Sequence, residues 1–494
     1  MTDNSADEAT LASFGYKQEL SRKLHFGSLW AVAFSTISIT TGIVLNYGFG
    51  LENFGPAAIW TWPVAVVGQL FVAFVIAELG TRIPLAGYSY QWGRRLVGAG
   101  FGWLLGWTAL LYMWAGGAAI ALLVTAPTLA SVFGWDENNG RLMLFLAFAL
   151  VVLALLINVV SVQFTARVNN VAVVTEIVGI VVVGIALFVL WVVMAKPAPL
   201  GASVLVEHQG HGLYGFALAG LLGIFTVVGF EFAADLAEEA VNPRRIVPKA
   251  IIFSVIAAGV LGMISLIGFT IAIPNLDMVT AAPLPLVAIS QYWLGPVLTK
   301  VFVIFVAFST FAVLVVGTTA QARLMYSMGR DNVMPGSSTL RKVNAKTRTP
   351  VAGLVVAAVM TIAFVLYGYN QASAFGTLAA AGSILPYLAY LLVVVAYAAR
   401  SERLPAGVPG AFSLGRYRVP VIVVTVIWLV AALLILTLPA QFHSADWVVV
   451  GGEAVGVIWY FAGIRARQDR GTIAGDEASS PAVGSAPVGV REVS

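Results

Sequence analysis

The chain has 494 residues, of which 60% are hydrophobic and only 10% are charged, with a net charge of +4. Soluble domains are about a quarter charged and roughly half apolar, so this composition excludes an ordinary soluble protein. The sequence contains no cysteine, which excludes disulfides and thiolate metal sites.

Apolar runs of about 20 residues recur along most of the chain, and each is long enough to cross a bilayer as an α-helix. The sequence lacks the alternating strands of about ten residues that build outer-membrane barrels. We therefore predict an all-α integral membrane protein with twelve transmembrane helices. The predicted spans are residues 26–46, 57–79, 99–132, 142–162, 171–194, 214–236, 248–273, 297–325, 350–367, 373–398, 418–438 and 446–464.

Basic residues are distributed unevenly among the predicted connections. Only Arg141, Lys196 and Lys300 fall at odd-numbered connections, and the other Lys and Arg residues lie in the tails, at even-numbered connections or at helix ends facing them. Because Lys and Arg accumulate on the cytoplasmic side of a membrane, we predict a cell-membrane protein with both termini in the cytoplasm. This distribution explains the net charge without nucleic-acid binding.

Two of the predicted spans contain residues that weaken helices. The first includes "SITTGIVLNYGFG", and the sixth has Gly229 followed by Glu231 and Asp235 at membrane depth. Glycines alone would be explained by close helix packing, but buried carboxylates in a membrane are costly unless they are paired, protonated or functional. Interrupted helices in corresponding positions of two halves predict a transport site near the middle of the membrane.

Each predicted break begins a series of five spans. Because five spans, an odd number, separate the two starts, the halves enter the membrane from opposite sides, as in a 5+5 inverted repeat. The predicted regions are a cytoplasmic tail, two five-helix repeats, two extra C-terminal helices and a disordered cytoplasmic tail. Their bounds are residues 1–23, 24–196, 197–400, 401–466 and 467–494.

Three stretches together resemble the amino acid–polyamine–organocation permeases. They are "AELGTRIPLAGYSYQWGRRLVG" after span two, "GFEFAADLAEEAVNPRRIVPKAI" in span six, and "TTAQARLMYSMGRDNVMP" at the end of span eight. The stretch "TGIVLNYGFGLENFGPA" is most similar to the amino acid/choline transporter branch, although Phe54 stands before Gly55 where a second glycine is common. The resemblance implies a leucine-transporter-type fold with broken helices 1 and 6.

The same resemblance implies transport of a small amino acid or related amine, such as 4-aminobutyrate, choline or ethanolamine. We predict that residues 40–43 form the unwound segment of the first span. Half-helix N-termini carry partial positive charge, so the amides of this segment are expected to hold a substrate carboxylate. The predicted substrate-binding residues are Thr40, Thr41, Gly42, Ile43, Val228, Gly229, Phe230, Glu231, Trp107 and Phe308. Phe230 is expected either to cover the substrate or stack on an ammonium group, or to be an ordinary core residue.

Three further residues are candidates for coupling transport to an ion. Glu176 in span five is a candidate proton carrier, because some proton-coupled relatives place a lysine in that helix and this chain has none there. Ser309 and Thr310 in span eight lie where relatives supply hydroxyls to a sodium-like site, although such hydroxyls often bond to their own backbone. Glu231 is expected to orient the unwound helix or to titrate.

A cluster of charges at the cytoplasmic end of span six is expected to act as a gate or as an interfacial ion-pair cluster. Its members are Glu238, Glu239 and Arg244.

The sequence favours a secondary active transporter that imports an amino acid or amine by alternating access, with proton coupling preferred over sodium. An exchanger of the same fold is the alternative. A channel or receptor is disfavoured because no filter-like loop, charged pore ring or sensor domain is present. An enzyme would need clustered catalytic groups, and a primary pump would need the GxxxxGK[ST] motif. No cofactor or metal is expected, and the oligomeric state is left open.

Overall fold

The computed structural model describes residues 3–20, 22–160, 162–194, 201–209, 212–407 and 409–470. These residues form helices and connecting segments, with one isolated bridge between Leu24 and Ala240. Most of the tail predicted at 467–494 lies outside the described residues, as does Lys196.

The described residues of the first half form ten α-helices. They are α1 (Asp3–Ser13), α2 (Phe26–Ile37), α3 (Ile39–Phe54), α4 (Thr61–Arg82), α5 (Tyr88–Leu96), α6 (Ala99–Ala119), α7 (Ala126–Phe133), α8 (Gly140–Val160), α9 (Val162–Glu176) and α10 (Val183–Met194). Wider helical turns at Ile120–Thr125 and Ile177–Val182 join α6 to α7 and α9 to α10, so each pair forms one continuous span.

The second half begins with a divided helix and ends with two further spans. Its helices are α11 (Gly212–Ala219), α12 (Leu221–Thr226), α13 (Phe232–Asp235), α14 (Pro243–Ile271), α15 (Leu276–Thr280), α16 (Pro285–Arg330), α17 (Ser337–Leu340), α18 (Val351–Tyr369), α19 (Ala380–Arg400), α20 (Arg418–Thr437), α21 (His443–Trp459) and α22 (Arg465–Asp469). α16 is kinked at Gly295, whose φ is 70°, immediately before Pro296. The predicted eighth span starts just after this kink.

Eleven helical stretches of the described chain are long and apolar enough to cross a membrane. The predicted sixth span is the remaining one, and it is divided into α11, α12 and α13. Large apolar side chains such as Phe145, Val193 and Trp447 are exposed on the outside of the bundle. Because lipid is the solvent there, this surface indicates a multi-pass integral membrane protein.

Helices 14 and 16 hold the bundle together. α14 packs against α4 and α2, and α16 packs against α3, α8 and α9. Small residues permit the closest approaches. A Cβ atom on Gly268 would lie 2.0 Å from the Gly184 carbonyl oxygen, so α10 and α14 meet backbone to backbone. This packing brings the two broken spans together at the centre.

Candidate substrate-binding site

The first span is broken at one residue, Ser38. Its φ of 43° and ψ of 80° are left-handed, so α2 ends before it and α3 begins after it. The Ser38 hydroxyl accepts a hydrogen bond from the Thr41 amide at 3.3 Å, which caps α3. The expectation that residues 40–43 are unwound is therefore wrong by two residues, because they already form the first turn of α3.

The sixth span is broken between α12 and α13. Gly229 has a φ of +93°, a conformation that L side chains rarely adopt. The Thr36 hydroxyl lies 2.9 Å from the Gly229 carbonyl oxygen, and it also lies 2.8 and 3.0 Å from the Val32 and Ala33 carbonyl oxygens of its own helix. A Cβ atom at Gly42 would lie 1.8 Å from the Thr226 hydroxyl oxygen. The two breaks are thus in direct contact, as the paired pattern of glycines and acids predicts.

Glu231 lies at the end of the second break and is fully buried. The Tyr390 hydroxyl donates to its Oε2 at 2.6 Å, and the Tyr112 hydroxyl faces the same carboxylate. Phe230 stacks on Tyr390, with ring centroids 5.6 Å apart and an interplanar angle of 22°. Glu231 is therefore held by a tyrosine of α19, which the sequence analysis did not identify.

A cavity of about 70 Å³ adjoins both breaks. A single water occupies about 10–15 Å³ on this scale. Within the described chain, no Asp, Glu, Lys or Arg side chain lines the cavity, which combines apolar and hydroxyl groups. Its polar lining includes Thr36, Ser38, Thr41, Tyr112, Gln321 and Thr361.

The structure brings some of the predicted substrate-binding residues to this cavity and leaves others away from it. Thr41 and Val228 line it, whereas Phe230 is packed on Tyr390 behind it. The Trp107 indole nitrogen donates to the Gly452 carbonyl oxygen at 2.8 Å. Trp107 therefore packs against α21, and neither it nor Phe308 reaches the cavity in this conformation.

Three residues predicted at the first break have other contacts. The Thr40 amide donates to Glu176 Oε1 at 3.1 Å, so the N-terminus of α3 already faces a protein carboxylate. Gly42 provides the close contact with Thr226. Ile43 is fully buried in α3 and does not line the cavity.

The candidate coupling residues are buried within the helices. Glu176 is 1% exposed and caps α3 from the fifth span. Ser309 and Thr310 are buried in α16, and the Thr310 hydroxyl donates to the Ala307 carbonyl oxygen at 3.2 Å. Thr310 thus bonds to its own helix, which is the ordinary arrangement for a hydroxyl in a membrane helix.

The acidic pair after α13 forms ion pairs with α16. Glu238 accepts from Arg330 at 2.9 and 3.2 Å, and Glu239 forms a bidentate pair with Arg323. Arg244 belongs to neither pair, contrary to the expected grouping, because α16 places its own arginines beside both carboxylates. The sequence signal for these partners was the third quoted stretch, in which Arg323 and Arg330 occur.

The N-terminal segment covers these ion pairs. The amides of Lys23 and Leu24 both donate to the Glu239 carbonyl oxygen at 2.9 Å. The Tyr16 hydroxyl donates to Asp331 at 2.9 Å, and Arg94 forms a buried ion pair with the same carboxylate. The end of the bundle that carries the N-terminus is thereby closed by charged and backbone contacts.

Two broken helices that meet beside a central cavity, with the N-terminal end of the bundle closed, define a secondary transport protein. The fold is similar to that of MhsT, solved in complex with L-phenylalanine, with a TM-score of 0.56 at 15% identity. That match covers 84% of this chain and 98% of MhsT. The leucine-transporter-type fold is confirmed.

The amino acid permease family model matches residues 24–460, and the chain belongs to this family. It is 24% identical to the amino-acid permease BAT1 of Arabidopsis thaliana, over 88% of this chain and 89% of that protein. It is 27% identical to the GABA-specific permease of Saccharomyces cerevisiae, over 93% and 83% of the two chains. The branched-chain amino acid permease BcaP of Lactococcus lactis is 26% identical, over 85% and 91%.

Proposed function

We propose that this protein imports a small amino acid or a related amine across the cell membrane by alternating access. The observation that carries the proposal is the direct contact of the two breaks beside the central cavity, where the Thr36 hydroxyl and the Gly229 carbonyl oxygen lie 2.9 Å apart. The relatives named above are permeases for amino acids, GABA and branched-chain amino acids, which supports an amino compound as substrate.

The charged groups of the substrate would be bound by the breaks. Because the described cavity lining contains no charged side chain, main-chain amides and carbonyls freed at helix ends are the groups available for a carboxylate and an ammonium. Thr41 and Val228, one from each break, line the cavity. The apolar and hydroxyl groups elsewhere would contact the rest of the substrate.

An uptake screen in proteoliposomes tests this function. The compounds are 4-aminobutyrate, cationic, aromatic, branched-chain and hydroxyl or amide amino acids, choline and ethanolamine, each tested with and without a pH gradient. We expect saturable uptake of at least one compound and none in protein-free liposomes. Absence of uptake and of exchange for every compound would refute the proposal.

For the coupling ion, we propose a proton carried by Glu176. This carboxylate is buried in the fifth span and accepts a hydrogen bond from the Thr40 amide of α3. Protonation of Glu176 would weaken this bond and so affect the position of α3. Glu176→Gln should lose accumulation driven by a pH gradient but keep exchange of internal for external substrate. A sodium gradient that drives uptake without a pH gradient would contradict proton coupling, and exchange alone would favour an exchanger.

A further inference from the structure

One polar side chain of the cavity differs from its neighbours. Thr36 donates to Gly229, the hydroxyls of Ser38 and Thr41 pair at 2.7 Å, and the Thr318 hydroxyl donates to the Leu314 carbonyl oxygen at 2.7 Å. Within the described chain, Gln321 is the lining residue that has a buried polar atom without a partner.

The orientation of Gln321 follows from its single hydrogen bond. Its amide nitrogen donates to the Met113 carbonyl oxygen at 3.4 Å, which directs the carboxamide across the gap between α16 and α6. None of the described residues donates a hydrogen bond to its Oε1 atom, and the residue is only 3% exposed. A buried acceptor without a donor is unfavourable, so a ligand that supplies a donor would be favoured at this position.

Space for such a ligand lies next to Gln321. A Cβ atom at Gly317, one helical turn earlier, would have no atom within 4 Å. A Cβ atom at Gly117 of the facing helix would lie 3.5 Å from Thr361 and 3.9 Å from the Gln321 amide nitrogen. The two glycines therefore leave room for the side chain of a substrate whose backbone is held at the breaks.

We propose that Gln321 determines substrate specificity by accepting a hydrogen bond from an uncharged substrate side chain. The favoured substrates are amino acids whose side chains carry a hydroxyl or a carboxamide, which are serine, threonine, asparagine and glutamine. This inference rests on the proposed function and names the substrate class of the same site. Cationic and anionic side chains are disfavoured because the described cavity lining has no charged side chain to pair with them.

Isosteric pairs of substrates test the proposal in the wild-type protein. Threonine and valine have nearly the same shape, as do asparagine and leucine, and each pair differs in the hydrogen-bonding group. A site built to bond a polar group rejects the analogue that lacks it. We expect threonine and asparagine to compete for uptake at least about tenfold better than valine and leucine.

Two variants assign this preference to Gln321. Gln321→Met keeps the length of the side chain and removes the acceptor, so the preference should fall below about threefold. Gln69→Met is the matched control, since Gln69 is also a buried glutamine but lies in α4 outside the cavity. It should keep the wild-type preference.

The possible results separate this inference from the proposed function. A wild-type protein that transports amino acids but favours valine and leucine, or does not discriminate, overturns the role of Gln321. A wild-type preference that persists in Gln321→Met overturns it as well. If Gln321→Met does not fold, the wild-type comparison still decides the substrate class. Absence of any amino compound transport refutes the proposed function instead.

Discussion

Two residues with positive φ, Ser38 and Gly229, lie at the breaks of the first and sixth spans. Ser38 has a positive φ without being glycine, a conformation that costs roughly 1–2 kcal/mol. Its contacts with Thr41 and the Phe34 carbonyl offset this cost. Gly229 has no Cβ atom to strain, and one would lie 3.0 Å from the Thr36 carbonyl oxygen. The contact between the two breaks thus depends on two residues with positive φ. At Ser38 hydrogen bonds stabilise this conformation, and at Gly229 the absence of a Cβ atom permits it.

Glu231 provides the most direct test of this junction. Glu231→Gln keeps the shape but removes the charge that accepts the Tyr390 hydroxyl, a hydrogen bond worth about 1.5–3 kcal/mol. We therefore expect uptake to fall about ten- to hundredfold, with normal expression measured by fluorescence of a tagged protein. Tyr390→Phe should show a loss in the same direction. Wild-type uptake by Glu231→Gln would exclude the role assigned to this carboxylate.

Acidic residues in and after α13 form contacts that close the end of the bundle that carries the N-terminus. Asp235 accepts the Gly87 amide at 2.7 Å and Glu238 accepts the Ala86 amide at 3.1 Å, so both acids anchor the start of α5. Glu239, in the turn after α13, and Arg323 of α16 form a buried ion pair. Because these contacts close the path to one side of the membrane, they must rearrange when the cavity opens there.

Removing one partner of the Arg323–Glu239 ion pair should destabilise the protein more than removing both charges does. Arg323→Gln leaves Glu239 as an unpaired buried charge, which costs about 3–5 kcal/mol. The double variant with Glu239→Gln removes both charges and should melt closer to the wild type than either single variant does. Thermal unfolding in detergent measures the melting temperatures of the two single variants and the double variant. Additive losses in the double variant would show that the pair is not coupled.

The N-terminal segment adds the hydrogen bond from Tyr16 to Asp331, whose strength depends on the protonation of Tyr16. Burial, and then the charge of Asp331, raises the pKa of Tyr16, which lies outside the membrane spans. The ordinary pKa of a tyrosine is about 10. Because the pKa of Tyr16 is higher in the folded protein, its protonated hydroxyl stabilises the fold at every pH below 10, and this stabilisation is lost only as the pH rises through the higher folded pKa. The Tyr16 hydroxyl therefore donates to Asp331 throughout the neutral range.

Tyr16→Phe should lower the melting temperature by a constant amount between about pH 6 and 9. The variant keeps the aromatic ring that lies 3.7 Å from the Arg330 guanidinium, so it removes only the hydroxyl. Melting curves of both proteins at several pH values measure the difference. A difference that disappears within this range would contradict the hydrogen bond to Asp331.

The whole molecule is proposed to lie with both termini in the cytoplasm. The absence of cysteine allows single labels without background. Lys342, before α18, and Asn138, between α7 and α8, are both exposed. A membrane-impermeant maleimide should label Asn138→Cys in intact cells and Lys342→Cys only after permeabilisation. The reverse pattern would invert the proposed orientation and the direction of the closed end.

Much of this arrangement was predictable from sequence, and particular residues show where prediction ended. The breaks were located because glycines and acids in apolar runs are local signals. The unwound residue was misplaced because serine carries no preference for a left-handed conformation. The partners of Glu231 and Glu239 were missed because Tyr390 is 159 residues and Arg323 is 84 residues away along the chain.

The sequence by itself determined the membrane spans, their broken members and the permease resemblance. Each apolar segment must satisfy its backbone within the bilayer whatever its neighbours are, so hydropathy and helix-weakening residues act locally. Only the tertiary structure decided which side chains line the cavity and which ion pairs close it. Those contacts depend on how distant helices pack. Gln321 of α16 faces the cavity, whereas Phe230 packs on Tyr390 of α19 and Trp107 bonds to Gly452 of α21.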